Sequence, residues 1–455
     1  MRTQVSRRSA LALGLVAFAL PAAHPQTAPT ASVNNADSQQ VSSAPLTLTL
    51  LDALERAKKI NPEYRSAVTD ARLAREDKVQ SRAALLPNLN FNTSFLYTEG
   101  NDTASARYIA NNGVHEYISQ GNVHQEFSLA NVADYRRTLA AEAGARARAE
   151  IAARGLVVTV VQAYYGFAVA QQKYATAQRA EAEAQRFFDI SQKLERGGEV
   201  ARSDVVKAQI QLQQQQRELQ DAELEMNRSR LELSVLVFPD FTENFSVVDD
   251  LQLPEPLPMF PEVQAAAANR NPELRAALAA VQEADRALTV AWNGFLPSVS
   301  VDYFYGIDAN HFAANQIDPV SGLPVRNLGY AAAATLQLPV WNWGANRSKV
   351  KQADLRRQQA RVELSATQRE LLAKLRNLYD EAATAHAELD SLNRSAELAA
   401  ESLRLTTLRY QAGESTVLEV VDAQNTLTQS RNSLSDGQSR YRVALANLQT
   451  LTGTL

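Results

Sequence analysis

Two carboxylates, Glu419 and Asp422, lie three residues apart in the stretch YQAGESTVLEVVDAQ, Tyr410–Gln424. On a helix that spacing puts both on one face. They are the sharpest chemical candidates in the chain. Thr416-Val-Leu-Glu419 has the form of a capping box, so Glu419 also has a use at a helix start, whereas Asp422 lies beyond the box. Nothing around the pair suggests bond-making chemistry. The five histidines (His24, His115, His124, His311 and His386) are scattered, and no zinc-binding helix motif, phosphate loop or nucleophile elbow occurs. Neither an enzyme nor a metal or cofactor site is expected.

A cruder copy of the stretch, ERGGEVARSDVVKAQ, occupies Glu195–Gln209. Gly198 corresponds to Gly413, Glu199 to Glu414, Val205-Val206 to Val420-Val421, and Ala208-Gln209 to Ala423-Gln424. Here the acidic pair becomes Asp204 and Lys207, which can neutralise each other across a turn. Only the second copy offers two carboxylates.

Long helices must carry both copies. Asp134–Arg196 and Ala345–Gln411 contain no proline, and roughly 65 residues of helix span on the order of 100 Å. Each ends at a tip, 196–198 or 412–415, where glycine stops the helix and a shorter one returns, Ser203–Val237 or Thr416–Leu451. Upstream, NPEYR at Asn61–Arg65 recurs as NPELR at Asn271–Arg275, an offset of 210 residues that Leu86-Pro87 and Leu296-Pro297 repeat. Asparagine before proline is a helix-start signal, so the chain is internally duplicated.

After each Leu-Pro the period becomes two. Leu89, Phe91, Phe95 and Tyr97 alternate with Asn88, Asn90, Asn92 and Ser94, and Val299, Val301, Tyr303 and Tyr305 with Ser298, Ser300 and Asp302; Leu96 and Phe304 each break the pattern. Loops at Glu99–Val114 and Ile307–Arg326 lead to return strands at Glu116–Leu129 and Leu328–Leu338. The hairpins therefore occupy 87–129 and 297–340. Repeat 1 covers 47–237, a proline-rich connector 238–261, and repeat 2 262–455.

The ends and composition set the compartment. Arg2, Arg7 and Arg8 before the apolar run Ala10–Leu20 mark a signal peptide at 1–23, and 24–46 reads as a flexible leader. With no cysteine there are neither disulfides nor a lipid-anchor thiol, and a net charge of -4 gives no case for nucleic acid. The uncharged stretch Gly155–Ala170 reads as a buried helix face rather than a membrane span.

Four strands cannot close a barrel, since small barrels need about eight. Strands with one apolar and one polar face suit a wall between lipid and water, so the exported chain is expected to oligomerise with eight, twelve or sixteen strands in all. The three tryptophans, Trp292, Trp341 and Trp343, flank the second hairpin at its helix junctions, where a membrane–water interface would lie.

Taken with LPVWNWGANR at Leu338–Arg347 and RYQAGESTVLEVVDAQ at Arg409–Gln424, the duplicated helix starts and Leu-Pro strand entries resemble the TolC-like outer-membrane efflux protein family over about residues 47–453. The first strand–helix joint, LANVADYRR at Leu129–Arg137, departs from the aromatic second one. The resemblance implies a mainly α fold with a membrane β-barrel portion: a homotrimer with a twelve-stranded barrel in the outer membrane, in contact with its lipid, and a helical tunnel crossing the periplasm. It also implies an exit duct for a periplasmic adaptor and an inner-membrane transporter. In such a duct Glu419 and Asp422 would form two acidic rings at the periplasmic gate, where crowding would raise carboxyl pKa values, and Tyr410 would help latch the mouth. Arg196, Gly197, Gly198, Ala412, Gly413, Glu414 and Ser415 would contact the adaptor. The alternative is a non-channel periplasmic helical spacer, which needs neither the alternating strands nor the tryptophans.

Overall fold

The computed structural model describes residues 46–98, 115–240, 244–251, 256–317 and 321–453. Repeat 1 runs through β1 (Leu46–Leu48), α1 (Leu50–Ile60), α2 (Pro62–Ala83), β2 (Asn88–Tyr97), β3 (His115–Phe127), α3 (Leu129–Gly197) and α4 (Arg202–Val237). The connector contributes β4 (Phe245–Val247). Repeat 2 follows with α5 (Phe260–Arg270), α6 (Pro272–Asn293), β5 (Ser298–Ala309), β6 (Asn315–Ile317), β7 (Pro324–Arg326), β8 (Leu328–Gln337), α7 (Ala345–Gln411) and α8 (Val417–Thr452).

The duplicated helix starts work as local chemistry dictates. The side chains of Asn61 and Asn271 accept from the backbone N–H groups of Tyr64 (2.8 Å) and Leu274 (2.9 Å). Proline then fills a position whose N–H has no partner in a helix anyway.

Strands β2, β3, β5 and β8 form one antiparallel sheet in that order. The helices repeat it, because α2 leads into β2, β3 into α3, α6 into β5 and β8 into α7. Below the sheet α2 packs on α3, α3 on α6 and α6 on α7; towards the tips the neighbours are α4, α3, α8 and α7. Each strand thus continues into the helix beneath it, and α3 and α7 run through both layers.

The register places Leu89 opposite Val123, Val123 opposite Tyr303, and Tyr303 opposite Ala332; the next apolar row joins Phe91, Gly121, Tyr305 and Tyr330. The alternate rows hold Asn88, His124, Asp302 and Ala333, then Asn90, Asn122, Phe304 and Ala331. One face is therefore apolar and the other mostly polar. In a single chain the apolar face is bare, with Phe91 74% and Tyr330 76% exposed.

Between sheet and tips lies the largest core. The short parallel pair β1–β4 seals it, and the Tyr164 hydroxyl lies 3.2 Å from the Leu48 carbonyl oxygen and 2.9 Å from that of Val248. Burial pushes that phenol up to about 12. Leu156, Val157, Val160, Val161, Tyr165 and Phe167 join it. By length and composition α3 contains a window apolar enough to cross a membrane. These residues of it instead pack against α1, α4 and the connector, as the uncharged stretch suggested.

Several boundaries differ from the expectations. Helix α3 begins at Leu129, not Asp134, because the Ser128 hydroxyl accepts from the Ala130 N–H (3.1 Å) and caps it; the first hairpin thus ends before 129. Helix α5 starts at Phe260, inside the expected connector, with Pro261 within its first turn. Leu46, placed in the leader, belongs to β1. The second loop contains further strand: β5 extends to Ala309, and β6 and β7 form a small hairpin. The signal peptide, the leader up to 45 and the first hairpin's loop at 99–114 lie outside the described residues.

Candidate functional site at the helical tips

Both tips are built alike. At the first, the Glu199 N–H donates to the Leu194 carbonyl and the Gly198 N–H to that of Glu195, both at 2.9 Å; at the second, Glu414 reaches Arg409 at 2.9 Å and Gly413 reaches Tyr410 at 3.1 Å. This double closure needs a left-handed residue, and Gly198 and Gly413 supply it with φ of 78° and 77°. Ala412 and Gly197 are the last residues before those glycines.

The returning helices start differently. Thr416 and Glu419 form the complete capping box: the Thr416 N–H donates to the Glu419 carboxylate at 3.2 Å, and the Glu419 N–H to the Thr416 hydroxyl at 3.4 Å. The Thr416 N–H, with Arg409 adding to it, holds the Glu419 carboxyl below the usual glutamate range. The direction is opposite to the rise that crowding in a ring would bring, and it belongs to the single chain. Arg409 lies 3.6 Å from Glu419. Asp422, one turn on, is exposed. In the first tip Ala201 replaces Thr416 and makes no side-chain cap, and Lys207 sits 3.5 Å from Asp204. The second tip therefore projects Glu414, Glu419 and Asp422 with Arg409 as its near cation, while the first is balanced by Arg196, Arg202 and Lys207.

Tyr410 is buried between the two hairpins. Its ring lies 5.0 Å from that of Phe187, its hydroxyl 3.2 Å from the Ser191 hydroxyl, and Ala208, Val417 and Val420 complete the cluster. Burial raises its pKa. Above this cluster the hairpins are tied by polar contacts: Gln211 donates to Asn425 (2.8 Å), and Lys173 pairs with Asp436 (2.7 Å). Sequence reasoning missed these ties, because each joins residues far apart in the chain.

At the other end, Trp341 and Trp343 make an edge-to-face pair at 5.9 Å and are 75% and 90% exposed. Trp343 adopts a left-handed φ of 52°. Trp292, in the last turn of α6, is also exposed and 5.9 Å from the Phe295 ring. His124 faces Asp302 across β3 and β5, Nδ1 to Oδ1 2.8 Å, a pair the sequence did not announce. Among the described residues no group of three or more acidic or histidine side chains is placed to hold a metal ion.

Comparison with known proteins matches this architecture. The family model described as outer membrane efflux protein covers residues 53–237 and 263–454. The outer membrane protein TolC of Escherichia coli K12 is 21% identical over 418 residues, spanning 89% of this chain and 82% of its own. The alkaline protease secretion protein AprF of Pseudomonas aeruginosa is 22% identical over 422 residues, 90% and 85% of the two chains. Among solved structures, the Campylobacter jejuni CmeC outer membrane channel superposes with a TM-score of 0.74 at 16% identity, covering 89% of this chain and 85% of that one. The open-state MtrE channel of Neisseria gonorrhoeae gives 0.72 at 21% identity, with coverage of 89% and 88%.

Proposed function

The chain belongs to the outer membrane efflux protein family, and from that premise we propose that three copies close into one exit duct, fed by an inner-membrane transporter through a periplasmic adaptor. The observation that carries the reading is the four-stranded sheet with two open edges. Because its strands alternate in direction, β8 of one copy meets β2 of the next antiparallel, and rotation about one axis closes a twelve-stranded wall. The apolar face then meets lipid, the polar face lines the lumen, and Trp292, Trp341 and Trp343 sit at the periplasmic side of the bilayer. A helical spacer would leave this sheet without a use.

The tips are the periplasmic mouth in this reading. Glu419 and Asp422 form two carboxylate rings that favour cations and repel anions. Tyr410 latches the hairpins in the resting arrangement, and opening separates it from Ser191 and Phe187. Residues Arg196, Gly197, Gly198, Ala412, Gly413, Glu414 and Ser415 present the adaptor-contact surface.

Reconstitution in planar bilayers tests the duct. Stepwise conductance and a heat-modifiable trimer from outer-membrane extracts are expected, and the absence of both would sink it. Replacing Glu419 by Gln together with Asp422 by Asn is expected to weaken block by divalent cations several-fold and shift the reversal potential towards anions. Unchanged block and potential would remove the acidic-mouth assignment while leaving the duct.

A further inference from the structure

The four strands of the sheet contain no lysine or arginine, and their four carboxylates, Glu116, Glu126, Asp302 and Asp308, all lie in the polar phase. Two stand near each end of the wall, Glu116 and Asp308 towards the outer loops, Asp302 and Glu126 towards the helices. His124 is the one titratable base in that phase, and it orients the Asp302 carboxylate.

Between the two acidic levels the polar face divides by hairpin. The first hairpin presents Asn88, Asn90, Asn92, Gln120 and Asn122. The second presents Phe304, the one phenyl ring in that phase, over Gly306, Gly329, Ala331 and Ala333. A groove of about 420 Å³ lies there, lined by Phe304, Gly306, Gly329, Ala331, Gln120 and Asp308, and also by Asn327 and Tyr330. The first six belong to the polar phase and Tyr330 to the apolar one, while Asp302 lies just beyond the lining. Packing explains one of the glycines but not the other. A Cβ at Gly306 would run into the Ser119 carbonyl and Gln120 Cα of β3, whereas at Gly329 it would meet nothing within 4 Å. Nothing within the chain therefore requires glycine at 329. Asp302 is two residues before Phe304 on the same face, about 7 Å along the strand, and Asp308 four after it.

An apolar ring with a carboxylate on either side, in a groove sized for a small molecule, is complementary to a cation with an apolar body. We propose that the lumenal wall of the barrel carries a binding site for organic cations of aromatic or aliphatic body, built on Phe304 between Asp302 and Asp308. The site rests on the duct reading, since that reading turns the polar face inwards, and it is separate from the mouth acids.

Tetraphenylphosphonium and tetramethylammonium, added to the full-length trimer in planar bilayers, test it. The phenyl-bearing cation is expected to block at roughly tenfold lower concentration than the compact one, and Phe304→Ala to raise its half-blocking concentration roughly tenfold. Asp302→Asn and Asp308→Asn should each raise it several-fold. Should Phe304→Ala not assemble, Phe304→Leu, which keeps an apolar side chain but removes the ring, must weaken block to a similar extent. Equal block in wild type and groove variants, or block lost only in the mouth variant, overturns the site while the persisting current keeps the duct. No current in wild type overturns both.

Discussion

Thr416 and Ala201 occupy the same position in the two tips, and the difference decides how firmly each returning helix begins. Thr416→Ala removes the hydroxyl that accepts from Glu419, and should cost the start of α8 about 1 kcal/mol. Hydrogen exchange of the Val417–Val421 amides is expected to speed up, and Ala201→Thr to slow exchange at the start of α4. The pH dependence has a definite sign. The folded carboxyl of Glu419 is held below its ordinary value. Its contribution is therefore complete above the usual glutamate range, about 4.3, and is lost only as pH falls through the lowered value. This cap was legible in the sequence because it spans four residues. The contact between Tyr410 and Ser191 was not, since 219 residues separate the partners, and neither was that of His124 with Asp302, 178 apart. Residue types name the candidates for such contacts, but only chain crossing chooses among them.

At the scale of elements, Gly306 is the residue on which the sheet depends. The backbone of β3 lies where a Cβ would go, so Gly306→Ala must push β3 and β5 apart. The expected outcome is loss of the heat-modifiable trimer proposed above, whereas Gly329→Ala should leave the packing within the chain undisturbed. Alternation made β2, β5 and β8 easy to place. Strand β3 was weaker because Ser119 and Gly121 interrupt its apolar phase between Tyr117 and Val123. Helix α5 escaped notice because Met259, at its cap, makes no side-chain hydrogen bond and the prolines before it read as a continuing connector. Conversely, α3 starts early because a single serine, Ser128, ends the strand and caps the helix at once.

For the whole molecule, the sheet's two unlike edges set the terms of assembly. With no native cysteine, a pair introduced at Phe91 in β2 and at successive positions of β8, from Tyr330 to Leu336, reports on the joint between copies. Side chains directly opposite lie about 4.5–5.5 Å apart at Cβ, so at least one combination should oxidise to covalent species ending at three copies. A ladder that stops at two would contradict closure.

The same two edges predict how damage is inherited. A chain sound at β8 but ruined at β2 can still join a ring and then fail to close it. Expressed beside an equal amount of normal chain, it leaves roughly one ring in eight of the proposed three copies free of defect, so such an allele is dominant. A chain ruined at both edges never enters a ring and spoils nothing, and its allele is recessive. The more thorough lesion is the milder one for a heterozygous cell.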